Sequence, residues 1–160
     1  RNQARAAHHG IAAPRLGIEP GRSLIARAGT TLYRVMAVKH HGQRRFAIVD
    51  GGLADNPRPA LYGAHHHVTA ASRACGDRPA LFTLCGRSCE SDLMGEATLP
   101  EDLAAGDYVA MCTTGAYTFS MASNYNRFSK PAVAFVEGGR HRLAVRRETL
   151  DGVLAMDVLE

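Results

Sequence analysis

From Thr31 onward, turn-forming residues cut the chain into short apolar and β-branched runs, and this punctuation constrains the fold more than any other feature. Residues 31–39 alternate, His41-Gly42-Gln43 makes a turn, and residues 44–50 return as a second strand, which predicts a hairpin. Gly51-Gly52 breaks the pattern. Further strands are expected at residues 64–70, 80–84, 108–113, 132–137 and 141–146. A short helix is expected at residues 148–156, with Leu150, Val153 and Leu154 on one side. Strands at this spacing, with turn residues between them, predict a mainly β fold built as an antiparallel sheet, sandwich or barrel.

The first residues follow a different grammar. Residues 1–9 read as the end of a helix stopped at Gly10, where glycine takes the left-handed conformation that ends helices. A connection through Pro14 leads to residues 15–18, a brief apolar strand that ends at Glu19-Pro20-Gly21-Arg22-Ser23. Helix, loop, strand, then polar residues at the strand's C-terminal end is the pattern of an α/β unit, whose functional groups sit at that end. Two units are therefore expected, residues 1–23 and residues 24–160. Their junction is a natural place for a ligand site.

Charge and cysteines narrow the function. The formal net charge is +4, arginine far outnumbers lysine (Lys39 and Lys130 alone), and no basic run is interleaved with aromatics. A nucleic-acid partner is not expected. No stretch reaches the ~20 apolar residues of a membrane span, and residues 1–9 have no apolar signal-peptide core. The chain opens without Met and reads as a piece of a longer polypeptide. Cys75, Cys85, Cys89 and Cys112 form no C-x-x-C pair, so reduced thiols in the cytoplasm are expected. Neighbouring side chains on a strand point to opposite faces. His8-His9, His40-His41 and the triplet His65-His66-His67 therefore do not converge as ligands, and they read as surface or turn histidines with no metal.

Four constellations carry candidate chemistry. In Glu19-Pro20-Gly21-Arg22-Ser23 a stiff turn presents a carboxylate and a guanidinium. The pair suits a ring nitrogen and a phosphate or carboxylate, or else a local ion pair at a domain junction. In Arg58-Pro59-Ala60-Leu61-Tyr62 the prolines exclude an ordinary helix interior, and Arg58 and Tyr62 fit either a carboxylate clamp or a polar surface loop. Gly115-Ala116-Tyr117 permits close approach of an aromatic to a ligand or a core tyrosine, and Ser123-Asn124-Tyr125-Asn126 follows it as a polar loop. Cys89-Glu90-Ser91 sets a thiol beside a carboxylate in a Gly- and Ser-rich loop, which suits proton transfer better than a core. Cys112, inside a strand, and Cys85, at a strand end, read as small apolar residues.

The ordered series combines these motifs with Ala47-Ile48-Val49-Asp50-Gly51-Gly52 and Val145-Arg146-Arg147-Glu148-Thr149. It resembles the C-terminal part of the diaminopimelate decarboxylase family, a branch of the alanine-racemase-like, fold-type III pyridoxal-phosphate enzymes. The resemblance runs over essentially all 160 residues. It implies that residues 1–23 are the last helix and strand of a (β/α)8 barrel and that residues from about 24 onward are the C-terminal β-domain. It implies decarboxylation of meso-2,6-diaminopimelate to L-lysine, in lysine biosynthesis, with pyridoxal 5'-phosphate as cofactor. Siblings acting on ornithine, arginine or carboxynorspermidine, and a non-catalytic regulatory homologue, are the alternatives.

By the same resemblance, Glu19 pairs with the cofactor's ring nitrogen and Arg22 lies by its phosphate and the substrate carboxylate, with Pro20 and Gly21 shaping that turn. Tyr117 contacts the cofactor and substrate, and Arg58 and Tyr62 hold the distal end of the substrate. Cys89 acts from the partner subunit as the acid that protonates the α-carbon, and Glu90 binds the distal ammonium, which makes a homodimer with shared active sites the catalytic unit. Neither Lys39 nor Lys130 matches the cofactor-anchoring lysine, which belongs to a missing N-terminal barrel segment. The chain alone is therefore not expected to be active. The motif runs straight into Asp92-Leu93, one residue shorter than is usual in the family.

Overall fold

The computed structural model describes residues 2–12, 15, 17–72, 78–90 and 92–158. Six strands build one sheet: β1 (Thr30–His41), β2 (Arg44–Val49), β3 (Val68–Ala70), β4 (Pro79–Cys85), β5 (Leu93–Pro100) and β6 (Tyr108–Cys112). Their order across the sheet is β3-β6-β1-β2-β4-β5. The edge strands β3 and β5 pack against each other, so the sheet rolls nearly closed and leaves little open edge. Side chains alternate across a strand, and one set points into the roll. Tyr33 and Val35, Ala47 and Val49, Phe82 and Leu84, and Val109 and Met111 fill it, joined by Met94, Ala97 and Leu99 of β5. Burying each larger apolar side chain stabilises the fold by roughly 1.5–3 kcal/mol.

Strands β7 (Val133–Glu137) and β8 (Arg140–Val145) form a separate hairpin. Its turn is Gly138-Gly139, both at positive φ (55° and 74°), the conformation whose twist matches the flanking strands. The short helices are α1 (Asn2–His8), α2 (Arg22–Ile25), α3 (Arg58–Tyr62) and α4 (Leu150–Leu154). Thr149 caps α4, its hydroxyl accepting the Gly152 N–H at 3.1 Å. No helix among the described residues is long and apolar enough to cross a membrane.

The mainly β expectation and most strand positions match, with five corrections. The sheet is mixed, because β2 and β4 run parallel while the other pairs are antiparallel. Strand β5 was not anticipated. Residues 17–20 form no strand and Ile18 is exposed, so the apolar run at 15–18 has no ladder partner among the described residues; Leu16 lies outside them. The stretch at 64–70 is a strand only over Val68–Ala70, because Gly63 (φ 58°) ends α3 in the left-handed region and residues 64–67 leave it as irregular chain. Arg58–Tyr62 is itself a helical turn, since Pro59 falls in the first turn, where a missing N–H costs nothing.

Candidate active site

The segment after the Glu19–Ser23 turn docks directly onto the end of β6. Gly115 N–H donates to the Ala26 carbonyl at 2.9 Å and Thr114 N–H to the Gly29 carbonyl at 3.0 Å. The two backbones approach so closely that a Cβ on Gly29 would lie 2.3 Å from Gly115, which explains why both positions carry glycine. This contact carries Tyr117 back over the turn. Tyr117 sits at φ 60°, a conformation rare for a tyrosine, and an outlier of this kind is characteristic of functional sites. Its hydroxyl lies against Gly21, where a Cβ would be 3.3 Å away. Glu19, Pro20, Gly21 and Arg22 are all exposed at this turn.

Helix α3 supplies the opposite wall. The Arg58 guanidinium lies 5.2 Å from the Tyr62 ring and 5.7 Å from the Tyr117 ring, between two faces that attract cations. The helix is anchored by buried Asn56, whose side-chain N–H donates to Met111 Sδ at 3.2 Å and whose Oδ1 accepts the Arg58 N–H at 3.4 Å. Arg58 Nε is buried without a protein partner.

His66, read as a surface histidine, belongs to this cluster. It is half-buried while His65 and His67 are exposed. A carbonyl can only accept, so its Nδ1 donates to the Cys112 carbonyl at 3.1 Å, and Nε2 is buried with no partner. Burial pulls its pKa below the ordinary value. The positive charges of Arg22 and Arg58 push the same way, and the Cys112 hydrogen bond opposes them. The triplet lies in irregular chain ahead of β3, and only its middle histidine turns toward the end of β6. No His, Cys, Asp or Glu cluster able to hold a metal is present among the described residues.

Cys89 and Glu90 form a second cluster on the turn between β4 and β5. Both are exposed. The Tyr125 hydroxyl lies beside the Glu90 carboxylate, and the interaction with Glu90, with the nearby Cys89, raises the phenol's pKa. Arg87 stacks over Phe128 at 3.8 Å. The Ser-Asn-Tyr-Asn segment is held from the far end of the chain: Asn124 donates to Glu148, which also accepts the Lys130 N–H at 3.0 Å. Those hydrogen bonds depress the Glu148 pKa. Ser91 and Cys75 lie outside the described residues. Cys85, Cys89 and Cys112 are free thiols, and burial pushes Cys85 up, away from reactivity.

Comparison with known proteins gives the arrangement a lineage. Residues 24–115 match the family model described as the pyridoxal-dependent decarboxylase C-terminal sheet domain. The chain is 51% identical over 150 residues to a diaminopimelate decarboxylase of Actinosynnema pretiosum, covering 92% of this chain and 34% of that protein. Among solved structures, a diaminopimelate decarboxylase superposes with a TM-score of 0.83 at 37% identity, over 96% of this chain and 39% of the other. The diaminopimelate decarboxylase of M. jannaschii in complex with L-lysine superposes equally well (TM-score 0.83, 31% identity, 99% of this chain, 36% of that one). The chain spans about a third of the length of the curated relatives it matches.

Proposed function

This chain belongs to the pyridoxal-dependent decarboxylases, whose C-terminal sheet domain it carries, and on that premise we propose that it is the C-terminal part of an enzyme converting meso-2,6-diaminopimelate to L-lysine and carbon dioxide. The observation that carries the reading is the convergence of Gly21, Arg58, Tyr62 and Tyr117, which brings three separate sequence motifs together.

The residues fit the cofactor. Arg58 Nε is buried without a protein partner, and with the positive charge of Arg22 it makes a donor set that an anionic ligand completes. Pyridoxal phosphate, when bound, supplies the electron sink that decarboxylation needs. In this reading Glu19 keeps a proton on the ring nitrogen, Arg22 binds phosphate or carboxylate, and Tyr117 packs beside the cofactor. Arg58 and Tyr62 hold the distal carboxylate of the substrate, and Glu90 holds its distal ammonium. A substrate without that carboxylate leaves Arg58 unpaired, which penalises lysine or ornithine strongly. Cys89 delivers a proton to the α-carbon, reaching from the partner subunit, so the working unit is a homodimer. Residues 1–23 close the cofactor barrel that precedes this domain, and the unpaired thiols suit the cytoplasm.

The intact protein, loaded with pyridoxal phosphate, is assayed for carbon dioxide release from meso-diaminopimelate, L-lysine, ornithine, arginine and carboxynorspermidine. Release from meso-diaminopimelate is expected to dominate. Preference for a substrate that lacks a distal carboxylate, or no release at all, overturns the reading.

A further inference from the structure

Asp92 is buried, and its side chain ties together two loops that carry different parts of the candidate site. Its carboxylate accepts the Leu53 N–H at 2.9 and 3.0 Å, and its Oδ2 lies 3.4 Å from the Ser88 N–H. Its own carbonyl accepts the Gly86 N–H at 2.7 Å. The Arg87 N–H donates to the Gly51 carbonyl at 3.1 Å and adds a second tie between the same loops. Two glycines make room for the carboxylate. A Cβ on Gly52 would lie 2.0 Å from Asp92 Oδ2. A Cβ on Gly86 would lie 2.1 Å from that oxygen and 2.7 Å from the Gly52 Cα. Neither position accepts a side chain without displacing Asp92.

One of the tied loops presents Cys89 and Glu90. The other winds through residues 51–57 into α3: Asn56 N–H donates to the Gly52 carbonyl at 2.8 Å, Asp55 accepts the Gly52 N–H at 2.7 Å, and Leu61 N–H reaches the Pro57 carbonyl at 2.9 Å. Asp55 also accepts the buried Tyr33 hydroxyl at 2.6 Å, which pins this loop to β1. A shift of Asp92 is thereby transmitted both to the Cys89 turn and to the base of the helix bearing Arg58 and Tyr62.

We propose that Asp92 is a positioning residue for both sets at once. The proposal rests on the reading above, in which Arg58 and Tyr62 serve the subunit's own site while Cys89 and Glu90 serve the partner's. One carboxylate then sets the geometry of both active sites of the dimer.

The test is subunit complementation in the full-length dimer. Cys89→Ala and Arg58→Ala subunits, mixed, regain activity, because one site of each mixed dimer has both residues intact. Asp92→Asn replaces one carboxylate oxygen with an N–H₂ that faces the Leu53 and Ser88 donors. It is expected to lower kcat/KM by about tenfold to a hundredfold, as misplacement of binding groups does, and to be rescued by neither Cys89→Ala nor Arg58→Ala subunits. Rescue by Arg58→Ala subunits would mean that Asp92 governs the Cys89 turn alone. Rescue by Cys89→Ala subunits would mean that it governs α3 alone. Either result, or an unimpaired Asp92→Asn enzyme, overturns the proposal.

If Cys89→Ala and Arg58→Ala subunits do not rescue each other, the shared-site reading is what fails. Amide hydrogen exchange then decides on Asp92 itself. In Asp92→Asn the Leu53 and Gly86 amides must both exchange faster while Leu84 and Val109 keep their protection; loss on one loop only, or on neither, refutes the clamp. Should Asp92→Asn not fold, the unmutated protein serves: Leu53 and Gly86 must exchange through one common opening, and unrelated rates defeat the proposal.

Discussion

The Tyr125 hydroxyl is set beside the Glu90 carboxylate and the exposed Cys89 thiol. Two motifs 35 residues apart in sequence thus meet, with the phenol set against the carboxylate. The interaction with Glu90, the leading cause, raises the Tyr125 pKa from its already high ordinary value. The phenol therefore stays a donor throughout the neutral range. Replacing Tyr125 with Phe leaves Glu90 charged but free to rotate. In the intact enzyme Tyr125→Phe is expected to raise KM for diaminopimelate several-fold and to change kcat by less than about twofold, the pattern of lost substrate positioning. Steady-state kinetics measure the split. A fall confined to kcat would assign the tyrosine to the proton-transfer step instead.

Arg58 is held between two aromatic rings with its Nε buried and unpaired, a setting that favours the planar guanidinium over an ammonium. Arg58→Lys keeps the charge and loses the fork. A hydrogen bond between charged groups is worth about 1.5–3 kcal/mol, so kcat/KM for diaminopimelate should fall by about tenfold to a hundredfold. Discrimination against lysine should narrow by a similar factor. An Arg58→Lys enzyme with unchanged substrate preference would remove Arg58 from recognition of the distal carboxylate.

Phe82 of β4 is completely buried inside the roll, in the core shared with Leu84, Val49 and Leu99. Phe82→Ala removes a fully buried ring from this core. It is expected to destabilise the sheet domain by about 3–5 kcal/mol. Denaturant unfolding followed on this domain checks the value, and a loss under about 1 kcal/mol would mean that the roll is not packed as described.

Strands whose side chains keep a strict period of two were legible in the sequence. Tyr33 and Val35 of β1 and Ala47 and Val49 of β2 alternate cleanly, and Gly138-Gly139 marks the β7–β8 turn. Strand β5 was not legible because Gly95, at φ 126°, sits in a bulge where the pairing with β4 slips. The buried side changes parity there, from Met94 to Ala97 and Leu99, so no alternation runs through the segment. The parallel pairing of β2 and β4 joins residues nearly forty apart and leaves no local mark. The site divides in the same way. Glu19, Arg22, Arg58, Tyr117, Cys89 and Glu90 advertise themselves by residue type and neighbouring glycines or prolines. His66 and Asp92 gain their roles from tertiary burial, the first hidden in a polar triplet and the second trailing a more conspicuous thiol.

The pH dependence of stability tests the placement of His66. Burial, then the charges of Arg22 and Arg58, lower its folded pKa below the value of about 6.5 it has in an unfolded chain. Between those two values the unfolded state binds a proton that the folded state refuses, so stability rises with pH across that window. Above about pH 6.5 both states are neutral and the contribution is complete; as pH falls through the window it is lost. His66→Asn keeps an N–H to donate to the Cys112 carbonyl and has nothing to titrate. Denaturation midpoints measured from pH 5 to 8 are therefore expected to fall less steeply on the acid side in His66→Asn than in the parent, with the two curves parallel above pH 7. The other seven histidines are common to both proteins and cancel in the difference. Identical acid limbs would show that His66 titrates as an exposed histidine, and that its Nε2 is not enclosed beside the arginines.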